Sequence, residues 1–315
     1  MSEITNLIFK IKEIKKLNNK YWVDSLNERK LEELKFHNDD RDTNRISNLV
    51  NESDTYEKFY GNRKYYSVTK RSKEWINKWI EKESKDSIFL DYACGNGDIA
   101  IKAGENGAKL SIGLDISNIS IENATKISNE KKLDNVIFYQ GDCENTKLPD
   151  NCIDTIICSG MLHHLDLSYA FHELRRILKP GGKILAVEAL DYNPFIKLYR
   201  MITPNMRTKW EAAHILSLKD INFAKRFFVV SNIKYWHVCG YIAGKFPSLF
   251  IFLNYIDYFL EKIPYLQRWS WMFSFELIKP LENNKKLHCN FSNEIIFVAR
   301  KNALKRCFNN VIENG

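Results

Sequence analysis

The residues with the types and spacing for chemistry lie close together in the middle of the chain. Gly95-Asn-Gly97-Asp-Ile-Ala100 matches G-x-G-x-x-G/A directly after an apolar run. Such a turn brings backbone N–H groups up to a nucleotide-bearing ligand and can cradle the pyrophosphate of a nicotinamide or flavin cofactor. Asp115 follows Gly95 by 20 residues, where an acid accepting ribose hydroxyls would sit. No Gly-Lys-Ser/Thr follows, which excludes a P-loop. Asp91 precedes the first glycine by four residues and puts a carboxylate at the same place. Negative charge there suits a cationic sulfonium better than a dianionic pyrophosphate. His163, His164, Glu188 and Asp191 are candidate acid–base groups. Arg200, Arg207, Lys209 and His214 form a basic cluster able to hold a phosphate or carboxylate, with a solvated basic face as the plain alternative.

These residues need elements to hold them. Short apolar runs at 88–93, 110–115, 136–140, 153–158 and 183–188 read as buried strands, separated by helical stretches. Ser117 is a good N-cap for a helix to about Lys132, and Lys179-Pro-Gly-Gly182 stops the helix before strand five. Buried strands alternating with helices predict an α/β fold. Right-handed crossovers make it a doubly wound, mainly parallel, Rossmann-like sheet. Candidates at 233–238, 272–278 and 294–300 compete for the places beyond the fifth strand in an expected seven-stranded sheet with helical N-terminal and C-terminal additions. The expected division is a helical extension or lid over 1–85, a Rossmann-like core over 86–190, and an aromatic, basic cap with the final strands over 191–315. Ile4, Leu7, Ile8, Ile11 and Ile14 fall at helical spacing, for packing on the body or for a membrane surface.

Five motifs occur in order: Asp91-Tyr-Ala-Cys-Gly-Asn-Gly97, Gly113-Leu-Asp115-Ile-Ser117, Gly141-Asp142-Cys143, Ile157-Cys-Ser-Gly-Met-Leu-His-His164 and Leu178-Lys-Pro-Gly-Gly-Lys183. Together they resemble the class I S-adenosylmethionine-dependent methyltransferases, in the branch that includes small-molecule and quinone-type enzymes. The resemblance covers about 85–190. It implies S-adenosylmethionine as cofactor and no metal. Gly95 and Gly97 would face its amino-acid part with Asp91 nearby, and Asp115 would hold the ribose. Asp142 and the Cys143 backbone N–H would hold the adenine, with Ile116 and Ser159 also lining the site. It leaves His164, Glu188 and His163 as candidate catalytic groups beside the acceptor. Tyr60, Tyr66, Arg200, Arg207 and His214 are candidate substrate contacts.

Charge and exclusion narrow the acceptor. The whole chain has 47 Lys+Arg against 39 Asp+Glu over 315 residues, and the surplus is unevenly spread. Residues 1–85 carry 19 basic and 15 acidic side chains, 86–190 carry 10 and 15, and 191–315 carry 18 and 9. An acidic core therefore lies between basic flanks, and 24 of the 41 aromatics follow residue 190. Where an amino-directed DNA methyltransferase needs Asn/Asp-Pro-Pro-aromatic, this chain has Ser159-Gly-Met-Leu162, and it has no Pro-Cys nucleophile. The late aromatics run as helical faces rather than alternating with lysines, which makes nucleic acid an unlikely partner. The reading is a methyltransferase acting on O, N or C of a small or lipid-like metabolite. The expected location is cytoplasmic, with peripheral contact at the inner face of a membrane, or a homodimer, left open. Two other readings stand beside it: an NAD(P)-dependent oxidoreductase, and a non-catalytic S-adenosylmethionine-binding or membrane-docking protein. Seven cysteines without a CxxC pair, several inside apolar runs, predict reduced thiols.

Overall fold

The computed structural model describes residues 2–17, 20–50 and 53–281. The strand candidate at 294–300 lies outside them.

Every predicted apolar run within the described residues forms a strand. They are β1 (Ile88–Tyr92), β2 (Leu110–Asp115), β3 (Val136–Gln140), β4 (Ile153–Ser159), β5 (Leu178–Ala189), β6 (Val229–Trp236) and β7 (Met272–Ile278). Their order across the sheet is β3-β2-β1-β4-β5-β7-β6. β1 to β5 are parallel, whereas β7 pairs antiparallel with both β5 and β6. The seven-stranded α/β architecture is thus as expected, with β7 alone running against the other strands.

Burial explains the strand compositions. β1 and β2 are buried at every position, as strands covered on both faces must be. On one face Trp79 and Ile80 of helix Lys70–Ser84 pack with Phe89, Ile157, Leu185 and Val187. Elsewhere Ala100 and Ile101 of helix Asp98–Glu105 meet Ile121 and Ala124 of helix Asn118–Glu130 and Phe138 of β3. The first helix, Glu3–Leu17, buries Leu7, Ile11 and Ile14, so its apolar stripe is used in packing.

Two additions flank the strand ends that carry the candidate residues. Helix Glu28–Arg41 starts at Asn27, whose side chain caps Lys30 N at 3.0 Å. It reaches the sheet through Asn38, bonded to Ser117 (2.6 Å) and Asn118 (3.0 Å). After β5, Asn193 caps helix Pro194–Ile202 and donates to the Trp269 carbonyl at 2.6 Å. Helix Phe250–Leu260 is fixed by Asp257, which accepts from Cys239 N (2.8 Å) and Gly240 N (3.0 Å). Among the described residues no helix is long and apolar enough to cross a membrane.

Candidate active site

The order reverses between β1 and β4, and in parallel sheets the crevice at such a switch lies beyond the strand C-termini. A cavity of about 100 Å³ opens there, with Gly95, Asp115, Ile116, Asp142, Cys143, Ser159 and His164 in its wall. Asp115, ending β2, accepts from Gly95 N through Oδ2 and from Ser117 N through Oδ1, both at 2.8 Å. Those bonds fix the carboxylate plane and lock the glycine turn to strand two. Gly97 sits at φ +82°, and a Cβ on it would come within 2.7 Å of Ala124 Cβ and 2.8 Å of Phe138. Only glycine fits this approach of helix 98–105 to its neighbours.

Asp91 lies behind the turn rather than in the cavity wall. It is 2% exposed, its Oδ2 accepts from Ala100 N at 3.1 Å, and burial pushes its pKa up to about 8. No cation neutralises it among the described residues.

Helix 28–41 closes over the cavity. Lys30 Nζ donates to Asp142 Oδ2 at 2.6 Å and lies 2.9 Å from Glu144, while Arg29 bonds Glu144 and the His164 carbonyl at 2.5 and 2.8 Å. Burial opposes the Lys30 charge, but the Asp142 and Glu144 carboxylates outweigh it and raise its pKa. Glu33 Oε2 accepts from His164 Nδ1 at 2.8 Å, and its Oε1 from Thr208 at 2.5 Å. Burial and the neighbouring His163 push His164 down to about 3, leaving it a neutral donor.

A second, larger cavity of about 290 Å³ lies across the histidine pair. Tyr65, Tyr66, Tyr199, Tyr241 and Trp271 supply much of its wall, and His163, Glu211, Arg200, Arg207 and Lys245 its polar groups. The rings of His163 and His164 are 4.4 Å apart, one lining each cavity. His163 Nδ1 bonds Glu188 Oε2 at 2.7 Å, and Glu188 Oε1 accepts from Met161 N and Leu162 N at 2.9 and 2.8 Å. Burial would lower the His163 pKa, but the Glu188 carboxylate outweighs it and the net shift is upward. His163 Nε2 is left facing the cavity, 3.9 Å from Glu211 Oε1.

A methyltransferase-domain family model matches residues 83–225, which span β1 to β5 and the approach to β6. Over residues 83–225 the chain is similar to methyltransferase domains. Over 100 residues (31% of this chain, 39% of the relative) the chain is 35% identical to the uncharacterized methyltransferase YcgJ of Bacillus subtilis. It is 32% identical over 109 residues to the ubiquinone/menaquinone biosynthesis C-methyltransferase UbiE of Pectobacterium carotovorum, covering 33% of this chain and 43% of that protein. With the demethylmenaquinone methyltransferase of Staphylococcus epidermidis it shares 33% over 123 residues, covering 38% and 48%. The chain spans less than half the length of these relatives.

The methyltransferase domain fits the family's cofactor, S-adenosylmethionine. Asp91 is a buried acid behind the glycine turn with no counter-charge among the described residues, which suits a ligand bearing a sulfonium and an ammonium. Asp115 presents a fixed carboxylate, and Asp142 an acceptor now taken by Lys30.

The remaining candidates separate. Tyr66, Arg200 and Arg207 line the large cavity. Tyr60 and His214 line neither: Tyr60 is buried and donates to the Asp39 carbonyl, and His214 stacks on Trp210 at 3.8 Å. Glu188 is fully enclosed behind His163 rather than in a cavity wall. Sequence reading placed Glu33 only within a lid segment, and missed Lys30 as a group touching the site and Tyr199, Tyr241 and Trp271 as cavity walls. The basic-acidic alternation Arg29-Lys-Leu-Glu-Glu33 was the only local signal.

Proposed function

We propose that this chain transfers a methyl group from S-adenosylmethionine to a proton-bearing atom of a small or lipid-like acceptor in the aromatic cavity. The observation that carries this reading is the His163–Glu188 pair at the boundary of the two cavities. When bound, S-adenosylmethionine supplies an electrophilic methyl group on a sulfonium. Asp115 holds the ribose hydroxyls, Asp142 and Cys143 N–H the adenine, and Gly95, Ile116 and Ser159 the remaining wall, with Asp91 as counter-charge. Glu188 fixes the His163 tautomer with hydrogen on Nδ1, so Nε2 is free to take the acceptor's proton. The tyrosine and tryptophan walls exclude water and align the acceptor, which is where most of the rate in such a displacement arises. Labelled S-adenosylmethionine offered with aqueous and lipid extracts tests this. Incorporation by the wild-type chain that falls in His163→Ala supports it, and none into either fraction refutes it.

We also infer a cytosolic protein that docks peripherally on an anionic membrane face. Helix 194–202 exposes Phe195, Leu198, Met201 and Ile202, and helix 250–260 exposes Ile251, Phe252, Tyr255 and Tyr258. Phe195 of the first helix, and Ile242, which is also exposed, line the cavity as well, so the apolar surface continues into the acceptor site. The basic surplus after residue 190 matches anionic lipid. Sedimentation with anionic liposomes at low salt supports it; a free supernatant protein, or a dimer that survives dilution, counts against it.

A further inference from the structure

The large cavity is apolar in its walls but not neutral in charge. Arg200, Arg207 and Lys245 line it, against the single carboxylate of Glu211. The carboxylates nearby are already shared. Glu211 lies 3.8 Å from Arg207 Nε and 3.9 Å from His163 Nε2. Asp191, the acid nearest Arg200 at 3.7 Å, is held at 3.0 Å by Lys197. Arg207 is committed to structure, donating through Nη1 to the carbonyls of Arg200 (2.9 Å) and Thr203 (2.8 Å). Arg200 is not. Its Nη1 is buried and has no hydrogen-bond partner among the described residues. A buried guanidinium donor without an acceptor is a group waiting for one. Lys245 adds a second charge at the rim, with no ion pair among the described residues.

We propose that the acceptor carries one anionic group, a carboxylate or a phosphate, which docks on Arg200, while its apolar body lies against Tyr199, Tyr241 and Trp271. This rests on the reading of the cavity as the acceptor site, and it specifies the acceptor's chemical class. The opposite assignment, an ammonium caged by the tyrosines, places a cation beside three others with only a shared Glu211 to balance it. The charge count rejects that. Arg200 is ideal for the task because its planar fork matches both oxygens of a carboxylate or phosphate. The group also fixes orientation: an anion pinned on one wall lets His163 Nε2 discriminate among the atoms of the remaining molecule.

The test is binding of four matched probes to the full chain by titration calorimetry: 2-naphthoate, 2-naphthyl phosphate, 2-naphthylmethanol and 2-naphthylmethylamine. One of the two anions should bind at least tenfold more tightly than the alcohol and the amine, and which one it is separates carboxylate from phosphate. Arg200→Gln should abolish that preference without changing the affinity of the alcohol, and Arg200→Lys should keep part of it. Circular dichroism and the unchanged alcohol affinity show that the variants are folded. Equal affinities, a preferred amine, no binding of any probe at millimolar concentration, or a preference that survives Arg200→Gln would overturn the proposal. No S-adenosylmethionine is needed, so an anion preference without any methyl transfer would remove the enzymatic reading and leave this site standing.

Discussion

His163 Nδ1 lies 2.7 Å from Glu188 Oε2, and Glu188 is itself anchored by two backbone N–H groups at the end of strand four. The carboxylate cannot turn away, so the imidazole presents Nε2 to the large cavity in one tautomer. A residue 25 positions further along the chain thus sets what His163 can do. Glu188 is a positioning residue.

Replacing that anchor should change both rate and pH dependence. In Glu188→Gln the amide oxygen can still accept from Met161 and Leu162, but the charge that raises the His163 pKa is gone. Turnover should fall about 100-fold or more, the usual worth of a positioned general base. A base works deprotonated, so activity is lost as pH falls through its pKa. The acid limb of kcat/KM should therefore move to lower pH in the variant, and an unmoved limb would remove His163 as the base.

Asp91 gives a pH signature to cofactor binding. Its pKa in the free protein is about 8 against an ordinary 3.8. That raised value stabilises the free protein fully below the ordinary pKa, and the contribution is lost as pH rises through 8. A sulfonium or ammonium nearby reverses the preference, so binding expels the proton and strengthens with pH up to about 8. Titration at pH 6 and 8 should show this gain in wild type and its absence in Asp91→Asn. Identical pH profiles for the two would place the cation elsewhere.

Helix 28–41 should act as a gate. Lys30→Met removes the contacts with Asp142 and Glu144 that hold it shut. These charge-assisted bonds are each worth about 1.5 to 3 kcal/mol. S-adenosylmethionine should then bind several-fold faster by stopped flow, and amide exchange over 28–41 should quicken. A slower association would mean that Lys30 helps capture the cofactor instead.

Gly97→Ala tests the turn itself. The left-handed backbone and the overlap with Ala124 and Phe138 together predict a loss of about 2 to 4 kcal/mol in unfolding free energy by urea denaturation. A change under about 0.5 kcal/mol would show that helix 98–105 tilts to make room.

The core strands and the five motifs were readable because they are local: apolar runs of fixed length, a glycine turn, and an acid at or just beyond the ends of strands one, two, three and five. Asp115 and Asp142 stand at the cavity for that reason. The rest depends on contacts far apart in sequence. His163 and His164 are neighbours in one 3-10 turn, and nothing local says that one faces each cavity. β7 enters the sheet antiparallel beside β5 after more than 80 intervening residues, so its place could not be derived from its composition. Lys30 reaches Asp142 across 112 positions, and Tyr60, though only five residues before Tyr65, is turned into packing.

The cleft beyond strands one and two should hold S-adenosylmethionine through Asp115. Calorimetric titration of the full chain with S-adenosylmethionine, beside Asp115→Asn and with NAD as control ligand, tests it most directly. Saturable one-to-one binding to the wild type is expected, weakened at least about tenfold in the variant as a charged acceptor is lost, with no binding of NAD. Wild-type affinity retained by Asp115→Asn, or NAD bound in place of S-adenosylmethionine, would contradict it.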